Sequence, residues 1–324
     1  MTELVQVKDI LERLKTGENY ETSSSAESGE NSEIISVTTT QPNTTKNMAQ
    51  FHFCRCKAEW FVRDGLGMTC SGLTYCLILF AEFVVIGVIL LPGFPLSAWS
   101  YVHAILFSCL AFLAACSHLR AMTTNPGTIP KGNFTDENVK GLGLQAGDVV
   151  VRCTRCECIK TDRAHHCSTC QRCIRKMDHH CPWINNCVGE FNQKFFVLFT
   201  FYIMAISAYA MVLAIHYIFQ CSDKDWKECA YFSPPTTIIF LVFLIFEGLL
   251  FGLFTLIMFC TQMNSVINDE TGIEHLKKEN REKSGTWRDR MKDTFGSDMG
   301  ISWFSPFSSN LYHRKRNDYS YFDV

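Results

Sequence analysis

The chain has 324 residues, a formal net charge of −2 and 47% hydrophobic residues. This charge gives no support for a strongly basic nucleic-acid-binding protein, and no nucleic acid is expected among its partners. Charged residues are nearly absent from four windows and dense between them, a distribution that predicts membrane spans separated by polar regions.

The opening segment, residues 1–50, is expected to be disordered. The stretch from Asn19 to Lys46 is rich in Ser, Thr, Glu and Asn, so it buries too little apolar surface to offset its ordering entropy. Acidic residues and the lack of an apolar core argue against a signal peptide. Residues 51–72 are interpreted as a juxtamembrane segment, in which Cys54 and Cys56 are either acylated or free thiols.

The four apolar windows predict four transmembrane helices. Each is close to the roughly 20 residues that a helix needs to cross a bilayer. The alternative is a set of buried helices in a soluble protein, but four such windows would leave too little chain to cover them. The predicted spans are residues 73–91, 99–119, 195–219 and 236–260.

Two carboxylates, Glu82 and Glu247, fall inside these predicted spans. Intramembrane charge is costly and usually has a partner or a functional role. The competing interpretation is that each side chain lies near an interface or faces another helix.

Lys and Arg residues are distributed unevenly around the four windows. Seven precede the first span, none lies between the first two, eleven occupy residues 120–194, two separate the last two spans and ten follow. The positive-inside rule therefore predicts cytosolic termini, a cytosolic central region over 120–194 and a cytosolic tail over 261–324. The two short loops then face the lumen, where Cys221 and Cys229 form a disulfide or remain two free thiols.

Eight of the 17 cysteines lie between Cys153 and Cys187, interleaved with four histidines. Their order is Cys-x2-Cys-x-Cys-x6-His-His-Cys-x2-Cys-x2-Cys-x4-Asp-His-His-Cys-x5-Cys. Cys-x2-Cys steps let two thiolates reach one zinc at about 2.3 Å, so the pattern indicates metal in a reducing compartment. Two closed sites use eight of these side chains. A third site would need adjacent histidines such as His165-His166 to act together, so two zinc ions are the better count.

The spacing does not say which cysteine is left over, but Asp178-His179-His180-Cys181 suggests one by its chemistry. A histidine near a thiol can take its proton, and an aspartate can orient that histidine and favour its charged form. The thiolate is the nucleophilic form of cysteine, so Cys181 is a candidate nucleophile. The alternative, that Cys181 is another zinc ligand, stays open on spacing alone.

Residues 153–199 resemble the cysteine-rich domain of the DHHC-type protein S-acyltransferases, or palmitoyltransferases, and the likeness extends over about residues 60–307. It is closest to the Golgi-type branch. The resemblance implies an integral membrane α-helical fold, with four transmembrane helices and a cytosolic two-zinc cysteine-rich domain, about residues 151–201, between helices 2 and 3. The motifs that carry it are Lys-Met-Asp-His-His-Cys-Pro-Trp at 176–183, Asn-Gln-Lys-Phe-Phe-Val-Leu-Phe at 192–199, Ser-Pro-Pro-Thr-Thr at 233–237 and Asp-Glu-Thr-Gly-Ile-Glu at 269–274.

The resemblance also implies roles for individual residues. Cys181 would be the acyl carrier, His179 its base and Asp178 the partner that orients His179. One structural zinc would be held by Cys153, Cys156, His166 and Cys173, and a second by Cys167, Cys170, His180 and Cys187. Cys158 and His165 are left without a role other than packing.

The implied reaction moves a long-chain acyl group, mainly palmitoyl, from acyl-CoA to protein cysteines by a ping-pong acyl-enzyme mechanism. Four side chains resemble the family's acyl-cavity lining, with ordinary packing as the alternative: Trp183, Phe196, Phe199 and Ile206. Bulk at Ile206 is expected to limit chain length. The CoA phosphates are expected near Lys160, Arg163, Arg172, Arg175 and Lys176, each of which could instead be a solvated charge.

The chain departs from the family pattern at four places. Asn125 replaces Asp in Asp-Pro-Gly, and Thr161 replaces Pro in Lys-Pro-x-Arg. Gly272 replaces the second Thr of Thr-Thr-x-Glu, and Arg290 stands near the place of a usual Asn before Phe295. The last change puts the packing of the C-terminal region against the spans in doubt.

The expected partners are acyl-CoA and membrane-associated proteins with cytosolic cysteines, and the expected location is the Golgi membrane. The end, Tyr321-Phe322-Asp323-Val324, suits strand addition into the groove of a PDZ domain, although many tails fit by chance. Two other functions compete with the enzyme: an inactive zinc-stabilised membrane scaffold that recruits partners, and a membrane-anchored ubiquitin ligase. The ligase is disfavoured because the spacing differs from interleaved RING patterns.

Overall fold

The fold is taken from a computed structural model. Contacts divide the chain into two compact units, described separately below. The small unit comprises Met1–Val62, Gly127–Met177 and Asn317–Val324, and the large unit comprises Arg63–Pro126 and Asp178–Arg316. The structure describes residues 5–6, 32–36, 62–91, 97–142, 149–223, 226–229, 231–278, 281–296 and 299–308. Cys54, Cys56, the C-terminal Val324 and most of residues 1–50 lie outside these ranges.

Four helices of the large unit are long and apolar enough to cross a membrane. The first is α1, Gly65–Glu82, which continues as a π-helix over Phe83–Leu90. The others are α2, Ala98–Thr123, α4, Gln193–Ser222, and α6, Pro234–Asn268. The four predicted spans fall on these helices. The chain is therefore a multi-pass helical membrane protein with its cysteine-rich region between the second and third spans, as predicted.

Local sequence explains where these helices begin. Asp64 caps α1, because its Oδ2 accepts a hydrogen bond of 2.8 Å from the Gly67 amide. Ser97 caps α2 in the same way, accepting from the Ser100 amide. Proline occupies the first positions of α6, where its missing amide proton has no helical acceptor to lose.

The core of the large unit is built around α4, which packs against α2 and α6. Phe107 of α2, Tyr217 of α4 and Leu244 of α6 are among its fully buried side chains. Gly248 lets α6 approach α4 closely, because a Cβ there would lie only 3.0 Å from Cγ of Met211. Helix α4, the most buried of the four long helices, is therefore the centre of the bundle, and α6 packs closely against it.

A small hairpin of the large unit carries the motif residues. Strand β7, His179–Cys181, pairs in antiparallel register with β8, Asn186–Val188, through a 3-10 turn at Pro182–Ile184. The carboxamide of Asn186 donates to the carbonyls of Ala121 and Thr124, at the end of α2. This hairpin is thereby fixed to the end of a transmembrane helix.

The small unit is built from short antiparallel hairpins. Strand β3, Val149–Cys153, pairs with β4, Cys158–Lys160, and β5, His165–Cys167, pairs with β6, Arg172–Ile174. A short helix, α3, covers Asp136–Gly141. Two strands from the segment expected to be disordered complete the sheet: β1, Val5–Gln6, is parallel to β2, Ser32–Ser36, and β2 is antiparallel to β3.

Two cysteines near the end of α4 form the bond that the sequence left open. Helix α5, Trp226–Cys229, follows α4 and ends on Cys229, which forms a disulfide with Cys221. Their Cα atoms are 5.6 Å apart, within the usual range for this bond.

The region after α6 packs tightly within the large unit. It contains α7, Gly272–Lys277, α8, Trp287–Phe295, and a 3-10 turn at Ile301–Trp303. Arg290 donates from Nε to the Ile267 carbonyl over 2.8 Å, and the Phe295 and Trp303 rings stack at 5.3 Å. The doubt raised by Arg290 at this position is thereby resolved, because the arginine itself bridges α8 to the end of α6.

Candidate active site

Asp178, immediately before β7, is the one carboxylate of the motif at 178–181, and it accepts three hydrogen bonds. Its Oδ2 accepts from His179 Nδ1 at 2.6 Å and from Gln262 Nε2 at 2.8 Å, while its Oδ1 accepts from the Gly272 amide at 2.7 Å. Burial raises the pKa of Asp178, but the bonds from His179, Gly272 and Gln262 outweigh burial and hold that pKa below its usual value. The carboxylate is therefore charged and fixed in orientation.

His179 is held between Asp178 and an aromatic wall. Its ring meets Phe196 edge-on, with centroids 5.4 Å apart. Burial lowers the pKa of His179, but Asp178 and the nearby Cys181 thiol outweigh burial and raise it to about 9. The Nε2 atom is buried and has no partner of full hydrogen-bond geometry among the described residues. Such contacts often tighten only when substrate binds.

Side chains alternate between the two faces of a β-strand, and this alternation explains why neighbouring residues of the motif face different surroundings. Successive side chains of a strand point to opposite faces, so His179 and Cys181 share one face of β7 and His180 lies on the other. On its own face, His180 Nδ1 lies 3.6 Å from Sγ of Cys187, its register partner in β8. The arrangement can hold a thiolate–imidazolium pair on one face and a metal ligand pair on the other.

Cys181 opens onto an apolar cavity among α1, α4 and α6. The four residues predicted to line the acyl cavity, Trp183, Phe196, Phe199 and Ile206, all line it. The Trp183 ring meets Phe251 of α6 edge-on at 5.6 Å. The remaining lining residues are Thr74, Leu77, Ile78, Ala81, Thr200, Ile203, Ser207, Ala210, Leu244, Glu247, Gly248, Phe254, Thr255 and Met258.

The small unit contains a complete set of candidate zinc ligands: Cys153, Cys156, His166 and Cys173. Their ligand atoms all lie within 4.8 Å of one another, and His166 Nδ1 is 3.2 Å from Cys156 Sγ and 3.7 Å from Cys153 Sγ. Tetrahedral zinc with bonds of about 2.3 Å to sulfur and 2.0–2.1 Å to nitrogen requires similar separations. The donor set and its geometry fit zinc. Cys158 is fully buried outside this set, consistent with packing.

The predicted second ligand set is divided between the two units, and each half is preformed. In the small unit, Cys167 ends β5 and Cys170 lies in the turn before β6, and the Cys170 amide donates to Cys167 Sγ at 3.3 Å. In the large unit, His180 and Cys187 face each other across β7 and β8. The small unit offers two thiolates and the large unit an imidazole and a thiolate, all of them ligand types that bind zinc.

The chain is similar in sequence to known palmitoyltransferases. A family model described as DHHC palmitoyltransferase matches residues 151–279. Palmitoyltransferase ZDHHC3 of Homo sapiens is 54% identical over 77% of this chain and 84% of its own length. The chain belongs to the DHHC palmitoyltransferase family. Two further relatives are palmitoyltransferase ZDHHC3-A of Danio rerio, 53% identical over 78% of this chain and 80% of its own, and palmitoyltransferase ZDHHC7 of Mus musculus, 53% identical over 76% and 80%.

One departure from this DHHC pattern is harmless to the site for a simple reason. Gly272 bonds Asp178 through its backbone amide, so the missing threonine side chain does not remove the contact. Thr271 and Glu274 still form a capping box at the start of α7. Gln262 was not singled out by sequence reasoning, because a glutamine at the end of an apolar helix carries no distinctive signal.

The five cations expected near the CoA phosphates all lie in the small unit. Lys160 and Arg175 are buried, which makes them less suited to a soluble diphosphate than the half-buried Arg163, Arg172 and Lys176. All five interact with other groups of the protein.

Proposed function

We propose that this protein transfers a long-chain acyl group, mainly palmitoyl, from acyl-CoA to cysteines of other proteins, and that Cys181 carries the group between them. Membership of the DHHC family supports the activity. The observation that carries the assignment to residues is the common strand face of His179 and Cys181, with Asp178 fixed behind them and the apolar cavity in front.

In the first half of the reaction, the Cys181 thiolate attacks the carbonyl carbon of the acyl-CoA thioester. A new carbon–sulfur bond forms to Cys181, the bond to the CoA sulfur breaks, and the departing CoA thiolate takes a proton from the His179 imidazolium. Asp178 stabilises that imidazolium through the 2.6 Å hydrogen bond to Nδ1.

In the second half, the thiol of a substrate cysteine loses its proton to His179 and attacks the Cys181 thioester. The acyl group moves to the substrate sulfur, and Cys181 leaves as a thiolate beside the reprotonated imidazolium. One difficult transfer is thus divided into two easier steps, and ping-pong kinetics are expected.

The cavity accounts for the choice of acyl donor. Each methylene prefers an apolar site by about 0.8 kcal/mol, so a long chain is stabilised among α1, α4 and α6 while the CoA stays outside. Trp183, Phe196 and Phe199 line the cavity, and Phe196 meets the His179 ring edge-on. Ile206 is proposed to limit chain length by its bulk, and the half-buried cations of the small unit to meet the CoA phosphates.

Zinc has a structural role in this proposal. When bound, zinc would cross-link short hairpins that bury little apolar surface of their own. The first ion is assigned to Cys153, Cys156, His166 and Cys173. The second is assigned to Cys167, Cys170, His180 and Cys187.

The proposed setting is a Golgi membrane, with both termini and the region 120–194 in the cytosol. It is supported by the distribution of Lys and Arg and by the likeness to ZDHHC3 and ZDHHC7. The proposed substrates are membrane-associated proteins with cytosolic cysteines. The end at Val324, outside the described residues, is proposed to bind a PDZ domain.

The decisive test is whether Cys181 becomes labelled with a fatty acyl group. Cells that express the protein and take up an alkyne fatty acid should yield a hydroxylamine-labile label, which Cys181→Ser should lose. An inactive scaffold would give no such label on the unsubstituted protein. The acyl-enzyme mass on a peptide containing Cys181 provides the same test with purified protein.

A further inference from the structure

One ionisable side chain, Glu247 of α6, lies among the residues that line the apolar cavity. Its Oε2 atom is buried and has no hydrogen-bond partner among the described residues. The cavity threonines differ, because Thr200 and Thr255 donate to carbonyls of their own helices at 3.0 and 2.6 Å. Glu82, the other carboxylate within the spans, has a buried Oε2 without a partner in the described part of the chain as well, but its Oε1 accepts a hydrogen bond of 2.5 Å from Ser108.

Helix packing locates Glu247 in the far part of the cavity. Its neighbour Gly248 packs on Ser207 of α4, since a Cβ at Gly248 would lie 3.5 Å from the Ser207 carbonyl oxygen. Phe196, which touches the His179 ring, lies ten residues before Ile206 on the same helix, a rise of about 15 Å. Glu247 therefore faces the distal carbons of an acyl chain that begins at Cys181.

An unpartnered carboxyl at this depth makes the cavity sensitive to the polarity of its occupant. Hydrocarbon that covers the carboxyl removes any water that could solvate it and supplies no hydrogen bond in return, which is unfavourable. A hydroxyl group at the same depth can hydrogen-bond to the carboxyl. Bulk at Ile206 would not distinguish these two occupants.

We propose that Glu247 is a specificity-determining residue that disfavours acyl chains long enough to cover its carboxyl with hydrocarbon and accepts chains that carry a hydroxyl group there. This inference rests on the proposed function, because it assumes that the cavity holds the chain carried by Cys181. It adds hydroxylated long-chain acyl-CoA to the substrate class. It also means that the polarity of Glu247, together with the bulk of Ile206, limits the length of the acyl chain.

The experiment uses the purified full-length protein in lipid nanodiscs and the intact mass of its acyl-enzyme. Palmitoyl-CoA competes at equal concentration with stearoyl-CoA, and separately with 16-hydroxypalmitoyl-CoA. We expect Glu247→Leu to raise the stearoyl-to-palmitoyl ratio roughly fivefold or more and to lower the hydroxypalmitoyl-to-palmitoyl ratio by a similar factor. Glu247→Gln is the matched control, because it keeps the size and the hydrogen-bonding groups, and both ratios should stay near those of the unsubstituted protein.

Unchanged ratios in Glu247→Leu would overturn the proposal, and so would equal shifts in the Leu and Gln variants. If Glu247→Leu fails to fold, the unsubstituted protein still decides: rejection of 16-hydroxypalmitoyl-CoA by roughly tenfold or more is what an entirely apolar cavity predicts and contradicts the proposal. Lack of any acyl group on unsubstituted Cys181 is a different result, because it would remove the proposed function itself.

Discussion

Gln262 donates a hydrogen bond of 2.8 Å to Oδ2 of Asp178, across 84 residues of sequence. The glutamine is buried, and its own Oε1 accepts from Gln193 of α4 at 3.4 Å. Asp178 is therefore oriented by a transmembrane helix as well as by His179. We interpret Gln262 as a positioning residue that acts on Cys181 only through Asp178 and His179.

Gln262→Met should slow acylation of Cys181 on the order of tenfold or more, because a hydrogen bond to a charged group contributes about 1.5–3 kcal/mol. Rapid-quench mass spectrometry of the acyl-enzyme measures the rate. Thr261→Ala, at the exposed neighbouring position, is the control and should react normally. A Gln262→Met protein that folds and acylates at the unsubstituted rate would contradict the positioning role.

The pH dependence of acylation should report the His179–Asp178 pair. Burial lowers the pKa of His179, yet Asp178 and Cys181 raise it to about 9. The imidazolium that we propose as the proton donor to CoA is therefore present at neutral pH and lost as pH rises through about 9. Asp178→Asn removes the largest raising contribution while burial remains. The alkaline limb of the rate profile should therefore move to lower pH. Asp136→Asn, at an exposed position of the small unit, is the control and should leave the alkaline limb in place. An unmoved alkaline limb in Asp178→Asn would contradict the role of Asp178 in raising the pKa of His179.

Zinc content should distinguish substitutions on the two faces of β7. The unsubstituted protein and Cys181→Ser are both expected to contain two equivalents of zinc, because Cys181 is assigned to neither ligand set. His180→Ala should lose zinc and destabilise the cysteine-rich region as well as abolish acylation. Metal analysis of purified protein measures the content, with Cys158→Ser as a control for a buried thiol outside the sets. One equivalent or none in the unsubstituted protein would refute the ligand assignment.

Lys194 should be essential for docking the segment after α8. Its fully buried ammonium donates to the carbonyls of Phe295 and Ser302 at 3.1 and 2.9 Å and to Ser308 Oγ at 2.7 Å. Lys194→Met leaves these acceptors without their donor, at a cost of about 1–3 kcal/mol for each that stays buried. Limited proteolysis should then cut residues 299–308 faster. The exposed Lys277→Met is the control, and equal cleavage rates would contradict the docking role.

Much of this architecture is encoded locally and could be predicted. Long apolar runs predict membrane helices because a bilayer demands about 20 residues with every backbone group satisfied. The Cys-x2-Cys steps predict zinc, whereas the strand that places His180 on the opposite face from His179 and Cys181 was not predicted. The ligand sets and the roles within the motif, in contrast, came from family resemblance, since spacing left Cys181 open as a ligand.

The contacts that complete the site could not be predicted in the same way. Gln262 and Gly272 reach Asp178 from the end of α6 and the start of α7, and only the packing of α6 on α4 brings them there. The depth of Glu247 likewise depends on Gly248 packing against Ser207. The π-helix at Phe83–Leu90 could not be predicted, because no Pro or Gly-rich pattern marks its start.

The Cys221–Cys229 disulfide has a practical consequence for handling the protein. One chain must keep eight thiols reduced in its cysteine-rich region and two cysteines oxidised in the loop after α4, so its handling has to suit both states at once. Strong reductant would open the loop, and prolonged oxidation would consume the zinc-binding thiols. Extraction without phosphine or dithiol reductants and without chelator, with zinc present, should preserve both states.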